Sequence, residues 1–332
     1  KADARFLILN CPSEYFDYIP MGTFGLCDYL EGKGIEAKIL NLSLYERASA
    51  CQVLDRHMER FRPTHVGVVF HWQETVEGFL DVTAHIKSRH PDLPVISGGF
   101  AAGYFGTNLL ERCASVDYLV KGDPERPLVL LMKGKRVSAI PNLIYREGER
   151  VVANETSYFM DEETLSRISF AGITCLYDYK RYLSAVEKRL GFPVFIGRGC
   201  LHNCGFCGGG SRAYRTHSGR KAPVTRPVES VIADLKRRKG TAGNIYMCYE
   251  NDREYVKALF REVVRTRGIA KRFVLNYGTW DLFDRELLEL YREAFITGED
   301  HRPLLELSPE VYDDKARKQV KGRATYSMDG LK

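Results

Sequence analysis

The sequence predicts an α/β protein in two parts, a doubly wound sheet followed by part of a (β/α) barrel. Short apolar strands alternate with amphipathic helices along most of the chain, and the alternation restarts near residue 191. With 332 residues, the chain is long enough for two domains with separate cores. The predicted boundaries are 1–135 for the sheet domain, 136–190 for a hairpin and linker, and 191–332 for the barrel portion.

The first part contains five continuous apolar runs, which are typical of parallel strands that are buried on both faces. The predicted strands are Phe6–Leu9, Ala37–Leu40, Val66–Phe70, Pro94–Ile96 and Tyr118–Val120. The predicted helices between and after them are Thr23–Glu31, Ala50–Arg62, Thr75–Arg89, Gly106–Cys113 and Pro127–Lys133. Because ligands of such sheets bind beyond the carboxyl ends of the strands, the residues that follow each strand are the candidates for binding.

The second part begins after a hairpin predicted at Asn142–Val152, with its turn near Gly148. The predicted strands are Val194–Gly197, Asn244–Tyr249, Phe273–Tyr277 and Leu304–Leu307. The predicted helices are Pro227–Lys239, Arg253–Arg267, Arg285–Ala294 and Asp313–Val320. These elements indicate the first four βα units of a barrel, whose sites lie at the C-terminal ends of its strands.

Three cysteines follow the first barrel strand at C-x3-C-x2-C spacing, namely Cys200, Cys204 and Cys207. Closely spaced thiolates on one loop are typical ligands of an iron–sulfur cluster, and three ligands leave one iron of a four-iron cluster open. Two alternatives are weaker. A structural zinc site needs four ligands, and no second CxxC is present for one. A disulfide would leave an odd thiol and needs an oxidising compartment.

Composition narrows the class of protein and its surroundings. The longest apolar runs are strand-length, and no secretory signal is visible, so neither a membrane span nor export is expected. Six other cysteines are scattered singly and predict buried thiols in a reducing cytoplasm. The net charge of +6 is modest. Basic residues cluster after the cysteine loop, as a solvated face or a site for an acidic group: Arg212, Arg215, Arg220, Lys221 and Arg226. Because aromatic residues among them are few, no nucleic-acid partner is expected.

The cysteine motif, with Phe206 directly before its third cysteine, resembles that of the radical S-adenosylmethionine (SAM) enzymes. Arg198-Gly199 and the later segment Leu304–Glu310 resemble the subgroup that carries an N-terminal cobalamin-binding domain. The resemblance implies that the three cysteines bind a [4Fe-4S] cluster whose open iron binds SAM. The residues that it implies for SAM are Phe206, Gly208, Gly209, Glu250, Asn276, Glu306 and Ser308. A polar barrel interior or a helix cap also accounts for Glu250, Asn276 and Glu306.

The same resemblance implies cobalamin at the strand ends of a Rossmann-like first domain. The candidate residues are Asn10, Pro20, Gly22, His71, Trp72, Ser97, Gly98, Gly99, Gly122 and Asp123. The D-x-H-x-x-G signature, whose histidine ligates cobalt, is absent after the first strand, so the lower face of cobalt is expected to lack a histidine from this loop. His71 is an alternative ligand, although a hydrogen-bonding or stacking role is favoured for it. Gly98-Gly99 also serves as an ordinary tight βα turn.

The resemblance implies reductive cleavage of SAM to a 5′-deoxyadenosyl radical and methylation of an unactivated carbon of a small molecule. A one-electron donor such as flavodoxin or ferredoxin is implied with it. The alternatives are radical cyclisation, rearrangement or oxidation, and a non-catalytic corrinoid or iron–sulfur carrier. A dinucleotide-binding oxidoreductase is weaker, because no G-x-G-x-x-G follows the first strand. Since the related fold has six barrel units, the sequence is expected to be truncated by about two units.

Overall fold

The structure is a computed structural model that describes residues 4–13, 18–248, 252–298, 301–322 and 326–331. The chain divides into two compact units. Unit 1 comprises Lys1–Met160, Gly172–Tyr182 and Arg215–Arg220, and unit 2 comprises Asp161–Ala171, Leu183–Tyr214 and Lys221–Lys332. Two short pieces of the later chain therefore belong to unit 1, which a linear division of the sequence does not foresee.

Unit 1 is built on one seven-stranded sheet. Its strands are β1 (Arg5–Asn10), β2 (Glu36–Asn41), β3 (His65–Val69), β4 (Val95–Gly98), β5 (Tyr118–Val120), β6 (Leu143–Glu147) and β7 (Arg150–Ala153). Their order is β2-β1-β3-β4-β5-β6-β7. The first five pair in parallel, whereas β6 pairs antiparallel with β5 and β7 with β6. The predicted hairpin therefore extends the sheet of unit 1.

Helices connect the parallel strands of unit 1. They are α1 (Gly22–Glu31), α2 (Arg47–Phe61), α3 (Val76–Arg89), α4 (Phe100–Phe105), α5 (Thr107–Arg112) and α6 (Glu125–Met132). The core consists of strand residues such as Leu7, Leu9 and Val66 packed against helix residues such as Leu54 and Phe79. The strand order β2-β1-β3-β4-β5 is that of flavodoxin-like doubly wound sheets, in which the ligand crevice lies where the order reverses, between β1 and β3.

Further helices follow the hairpin: α7 (Glu162–Ser166), α8 (Tyr179–Glu187) and α9 (Ser211–Ser218). The main sheet of unit 2 consists of β8 (Phe192–Pro193), β11 (Asn244–Cys248), β12 (Val274–Thr279) and β13 (Leu305–Leu307). Their spatial order is the order along the chain, and every neighbouring pair is parallel. A separate antiparallel pair joins β9 (Gly197–Arg198) to β10 (Val224–Thr225). Parallel strands in sequential order are the arrangement of a (β/α) barrel wall.

The helices of unit 2 that follow its strands are α10 (Val228–Arg238), α11 (Arg253–Arg265), α12 (Arg285–Ala294), α13 (Asp314–Lys321) and α14 (Met328–Leu331). Asp252, Asp284 and Asp313 cap the N-termini of α11, α12 and α13, each accepting a bond from a backbone N–H of the first turn. The core lies between these helices and one face of the sheet, with Leu259, Phe260 and Tyr291 on the helices. The predicted fold class is confirmed.

One predicted strand is wrong in extent. Val194–Gly197 was expected to be the first barrel strand, but the ladder to β11 covers Phe192–Pro193 and continues only through the Val194 N–H, which donates to Tyr246 O (2.8 Å). The chain then leaves the sheet to pair with β10. A Cβ on Gly197 would lie 2.3 Å from Val224 O, so this close pairing of backbones depends on the glycine.

Candidate functional site

The three cysteines of the motif lie together on the loop after β9. Cys200 and Cys204 are half-buried and Cys207 is exposed. Backbone N–H groups point at two of the sulfurs, because His202 N donates to Cys200 Sγ (3.4 Å) and Gly209 N donates to Cys207 Sγ (3.3 Å). Such bonds stabilise the thiolate form that binds a metal.

The C-terminal end of α13 holds the middle of this loop. Gly205 N donates to Val320 O (2.7 Å), and the Cys204 thiol lies 3.8 Å from Lys321 O. The Lys321 ammonium is buried and donates to Ser308 O, directly after β13. Burial lowers the pKa of Lys321. The helix after the fourth barrel strand thereby fixes the cysteine loop that precedes the second.

Burial raises the pKa values of the Cys200 and Cys204 thiols. The other thiols of the motif raise them further, since each of the three pairs interacts electrostatically. Without a metal, these thiols stay protonated at neutral pH. Cluster assembly must therefore release protons from this loop.

The loop of the three thiols is open on one side. Over the described ranges, no three His, Cys, Asp or Glu side chains lie close enough to hold one metal ion. Gly208 has no atom within 4 Å of its Cβ position, so the loop leaves space beside the sulfurs. All nine cysteines are free thiols, which does not match the disulfide alternative.

The residues predicted for SAM fall into two groups around this loop. Phe206, whose side chain is 50% exposed, and Gly208 and Gly209 lie on the loop itself, and a Cβ on Gly209 would lie 3.7 Å from Cys207 Sγ. Glu306 lies in β13 and Ser308 directly after it, and both are half-buried. Glu250 lies outside the described residues.

Asn276 in β12 has a structural role. Its side-chain amide donates to Leu190 O (2.7 Å) and its carbonyl oxygen accepts from Leu304 N (2.7 Å). The residue is buried, and both ends of the amide bind backbone groups on either side of the strand. These bonds match the alternative of a polar barrel interior, and they hold the segment before β13 in place.

Sequence reasoning did not single out three residues at the same end of the barrel strands. Tyr246 and Cys248 lie in β11, and Gly278 lies opposite Cys248 in β12. Cys248 was expected to be a buried thiol and is exposed, so that prediction is wrong for this residue. Strand alternation carried a usable signal, because Ile245 and Met247 are apolar and therefore assign Tyr246 and Cys248 to the opposite face.

The residues predicted for cobalamin lie at or after the C-terminal ends of strands β1, β3, β4 and β5 of unit 1. Parallel pairing places these strand ends on one edge of the sheet. Asn10 ends β1, but its side chain is buried and donates to Asn41 Oδ1 (2.8 Å) at the end of β2. Pro20 and Gly22 lie at the start of α1, half-buried, and no atom lies within 4 Å of a Cβ on Gly22.

His71 and Trp72 follow β3 with their rings packed edge to face, 4.8 Å apart. Phe100 N donates to His71 Nδ1 (3.4 Å), so in the neutral ring the proton lies on Nε2. Burial lowers the pKa of His71 to about 4. The ring is therefore neutral at pH 7 and presents a donor at Nε2, which suits a hydrogen bond better than metal ligation.

The end of β4 combines an unpartnered hydroxyl with two unlike glycines. Ser97 Oγ is buried and has no hydrogen-bond partner within the described ranges. A Cβ on Gly98 would lie 3.8 Å from its nearest neighbour, Val120 O. Gly99 has a φ of +114°, and a Cβ on it would lie 2.7 Å from Phe70 O. Gly99 thus forms the tight βα turn, while Ser97 and Gly98 fit a polar ligand group at this edge.

Gly122 and Asp123 contact the short segment Arg215–Arg220 of the same unit. A Cβ on Gly122 would lie 2.6 Å from Ser218 O. Asp123 forms an ion pair with Arg220, both side chains being less than a tenth exposed, and also accepts from Met160 N (2.7 Å). Asp123 therefore anchors a segment of the chain, and its carboxylate is already bonded.

Two of the five clustered basic residues are likewise bonded to other groups of the protein. Arg220 pairs with Asp123, and Arg226 pairs with Asp234 (2.8 Å) while donating to Ile168 O and Phe195 O. Both arginines are buried. Neither the solvated face nor the acidic-ligand site describes these two residues. Arg212, Arg215 and Lys221 are exposed.

Comparison with known proteins identifies the same architecture. No family model matches the chain. A radical SAM methyltransferase, TsrM from Kitasatospora setae, solved with tryptophan substrate and a SAM analogue, matches 98% of this chain with a TM-score of 0.77 at 19% identity. The cobalamin-dependent SAM radical enzyme OxsB, solved with aqua-cobalamin and SAM, matches 99% with a TM-score of 0.68 at 14% identity.

A curated relative is the anaerobic magnesium-protoporphyrin IX monomethyl ester cyclase of a Synechocystis species, 21% identical over 64% of this chain. The chain spans 64% of the TsrM chain, 46% of the OxsB chain and 42% of the cyclase. The predicted resemblance to cobalamin-dependent radical SAM enzymes is confirmed in the fold. In the part of the chain that the structure describes, no helix has the length and apolar character needed to cross a membrane.

Proposed function

We propose that this chain binds the cofactors of a cobalamin-dependent radical SAM enzyme that methylates an unactivated carbon of a small molecule. The observation that carries the proposal is the three-cysteine loop at the start of a parallel barrel wall, within a chain similar in fold to TsrM over 98% of its length. A non-catalytic iron–sulfur or corrinoid carrier has no need of this barrel wall beside its cysteine loop.

In this proposal Cys200, Cys204 and Cys207 hold a [4Fe-4S] cluster. When bound, the cluster and SAM supply a 5′-deoxyadenosyl radical and cobalamin supplies the methyl group. In this proposal, two sets of residues in unit 2 hold the two ends of SAM. Phe206, Gly208 and Gly209 line the adenine and methionyl side, and Glu250, Glu306 and Ser308 supply polar groups.

The edge of unit 1 holds cobalamin in this proposal. Ser97 is the best supported of the predicted residues, because its buried hydroxyl lacks a partner among the described residues. Gly22 and Gly98 leave room for a ligand, and His71 with Trp72 offers a donor and an apolar ring. His71 Nδ1 already accepts a backbone bond, so we propose that cobalt binds without a histidine on its lower face.

Radical ring formation is a second candidate reaction, since the curated relative is a cyclase. Rearrangement and oxidation belong to the same class of radical chemistry. A flavodoxin or ferredoxin is the proposed electron donor. The free thiols suit the reducing cytoplasm, which is the proposed compartment.

The test is anaerobic reconstitution followed by incubation with SAM, a strong reductant and hydroxocobalamin. We expect mass spectra of the small products to contain 5′-deoxyadenosine. We also expect cobalamin to elute with the protein and to show the visible spectrum of its base-off form. Methylation is tested by transfer of a deuterated methyl group from SAM to cobalamin or to an added acceptor such as tryptophan. Formation of 5′-deoxyadenosine without methyl transfer would favour cyclisation or oxidation, and absence of both products would overturn the proposal.

A further inference from the structure

Two buried lysines of unit 2 differ in how their charge is neutralised. The Lys257 ammonium in α11 pairs with Asp284 (2.9 Å) and Glu286 (3.0 Å), and Glu254 lies 3.3 Å from it. Lys321 ends α13 and is more deeply buried, with 1% of its surface exposed against 8% for Lys257. Over the residues that the structure describes, no carboxylate forms an ion pair with Lys321. The more deeply buried of the two ammonium groups thus lacks a paired anion in that part of the chain.

The groups around Lys321 compensate its charge only in part. Its ammonium donates to Ser308 O and lies 5.9 Å from the centre of the Tyr326 ring. Glu310 and Asp281 are exposed and act on the ammonium at longer range, where solvent screens them. A carbonyl oxygen and a ring face are weak counterparts for a full charge, and a buried ammonium without an anion is costly. A further anion close to Lys321 would remove this cost.

The cysteine loop of the same unit offers that anion. The Cys204 thiol lies 3.8 Å from Lys321 O, and Gly205 N donates to the preceding carbonyl, Val320 O (2.7 Å). The Lys321 ammonium also attracts the ionised form of Cys204 electrostatically. A cysteine that binds iron does so as a thiolate, and a four-iron cluster with three thiolates carries net negative charge. The last turn of α13 therefore brings a buried cation to the loop that holds the cluster in the proposed function.

We propose that the Lys321 ammonium is the counter-charge of the iron–sulfur cluster at Cys204 and raises the reduction potential of that cluster. This inference rests on the proposed function and deepens it, because it names a residue that sets how readily the cluster accepts an electron. One electron passes to the cluster from the donor, a flavodoxin or ferredoxin, and no covalent bond forms or breaks. Reduction adds one negative charge, so a nearby cation stabilises the reduced cluster more than the oxidised one.

The position of Lys321 makes its charge effective. The bond to Ser308 O, directly after β13, and the Tyr326 ring hold the ammonium at one place. Burial excludes water from it, so its field is screened less than that of an exposed lysine. Lys321 acts in this proposal through charge alone, and it is a ligand of neither the cluster nor SAM.

A redox titration of the reconstituted full chain tests the proposal without SAM and without turnover. Titanium(III) citrate is the reductant, and electron paramagnetic resonance follows the reduced cluster. Lys321→Gln keeps a donor for Ser308 O and removes the charge. At a fixed potential its ratio of reduced to oxidised cluster is expected to fall about tenfold, which is about 59 mV towards more negative potential for a one-electron couple. Lys321→Arg keeps the charge and should keep the wild-type potential.

Lys257→Gln is the matched control. It also removes the charge of a buried lysine from unit 2, but that lysine pairs with Asp284 and Glu286 and not with the cysteine loop. The variant is expected to lower the stability of unit 2 and to leave the reduction potential unchanged. A shift in potential that follows only from a loosened fold would therefore appear in Lys257→Gln as well.

A more negative potential in Lys321→Gln, with the wild-type potential in Lys321→Arg and Lys257→Gln, supports the proposal. Loss of the cluster in Lys321→Gln, with wild-type iron content in Lys321→Arg, also supports it, because the charge is then needed to hold the cluster. An unchanged potential in Lys321→Gln, or loss of the cluster in both Lys321 variants but not in Lys257→Gln, overturns the counter-charge and leaves the proposed function standing. If the wild-type chain assembles no cluster, the proposed function itself fails.

Discussion

The strand ends of the two units use their polar residues differently. At the edge of unit 1, Asn10 bonds Asn41 and Asp123 pairs with Arg220, so these side chains are occupied by the protein itself. At the barrel strands of unit 2, Glu306 accepts a bond from Tyr246 (3.5 Å) but is only half-buried, and Cys248 is exposed. A polar residue at a strand end is therefore a candidate for ligand binding only after its partners within the protein have been counted.

The largest effect is expected from Asp123→Ala. This variant leaves the Arg220 guanidinium buried and unpaired, which costs roughly 3–5 kcal/mol of folding free energy in unit 1. Asp234→Ala is the matched variant in unit 2, where Arg226 would lose its carboxylate, and a similar loss is expected. Urea denaturation measures the loss of folding free energy, and hydrogen exchange resolved by peptide assigns that loss to unit 1 or to unit 2.

A different result for Asp123→Ala would reverse the interpretation of this edge. If stability is unchanged while hydroxocobalamin binds more weakly, Asp123 is a ligand-binding residue as the sequence suggested, and the anchoring role is wrong. Asp234→Ala is then expected to remain destabilised, because no ligand role was predicted for it.

A smaller contrast is expected between two glycines of the same edge. Gly122→Ala imposes a side chain at a φ of +81° and 2.6 Å from Ser218 O, and should destabilise unit 1 by roughly 1–3 kcal/mol. Gly98→Ala has space for its methyl group and should change stability by less than about 0.5 kcal/mol. If Gly98 borders the cobalamin, only Gly98→Ala lowers cobalamin affinity without lowering the melting temperature.

The last contrast is the pH dependence that His71 gives to the stability of unit 1. Its pKa of about 4 in the folded chain lies below the value of about 6.5 for an unfolded chain. The unfolded state therefore binds a proton first as pH falls, so stability is lost between pH 6.5 and pH 4 and is constant above that window. The loss is at most about 3 kcal/mol, less where solvent reaches the half-buried ring.

His71→Gln should remove this part of the pH dependence while keeping a polar side chain. Denaturation curves at pH 7 and pH 5 give the change in the free energy of unfolding with pH, for the variant and for the wild-type chain. If this change is equal in the two chains, His71 titrates at its ordinary pKa and its surroundings do not hold the ring neutral.

Local patterns predicted most of the fold. The helices Arg253–Arg265 and Arg285–Ala294 lie within a few residues of their predicted bounds, because an aspartate cap and an amphipathic face define each one. The first barrel strand was misplaced, since the ladder ends where the chain turns to pair with Val224–Thr225, a partner distant in sequence. Helix α4, only six residues long, lacks the periodicity that makes a helix predictable.

The site was less predictable than the fold. The cysteine spacing is local, and it identified the loop at once. The partners of Asp123 lie 37 and 97 residues away and those of Asn276 lie 28 and 86 residues away, so no pattern near either residue indicated that its polar atoms are bonded. Cys248 was expected to be a buried thiol and is exposed, although its alternation with Ile245 and Met247 is a local signal that assigns it to the face opposite the core.

The central claim is that Cys200, Cys204 and Cys207 bind a [4Fe-4S] cluster. The most direct measurement is iron and acid-labile sulfide per chain after anaerobic reconstitution, with the visible spectrum, for the wild-type chain and Cys204→Ala. Cys51→Ala is the control, because it removes a thiol outside the motif. We expect about four iron and four sulfide per wild-type and Cys51→Ala chain, and loss of the cluster in Cys204→Ala. Zinc in place of iron, or a cluster retained in Cys204→Ala, would contradict the account.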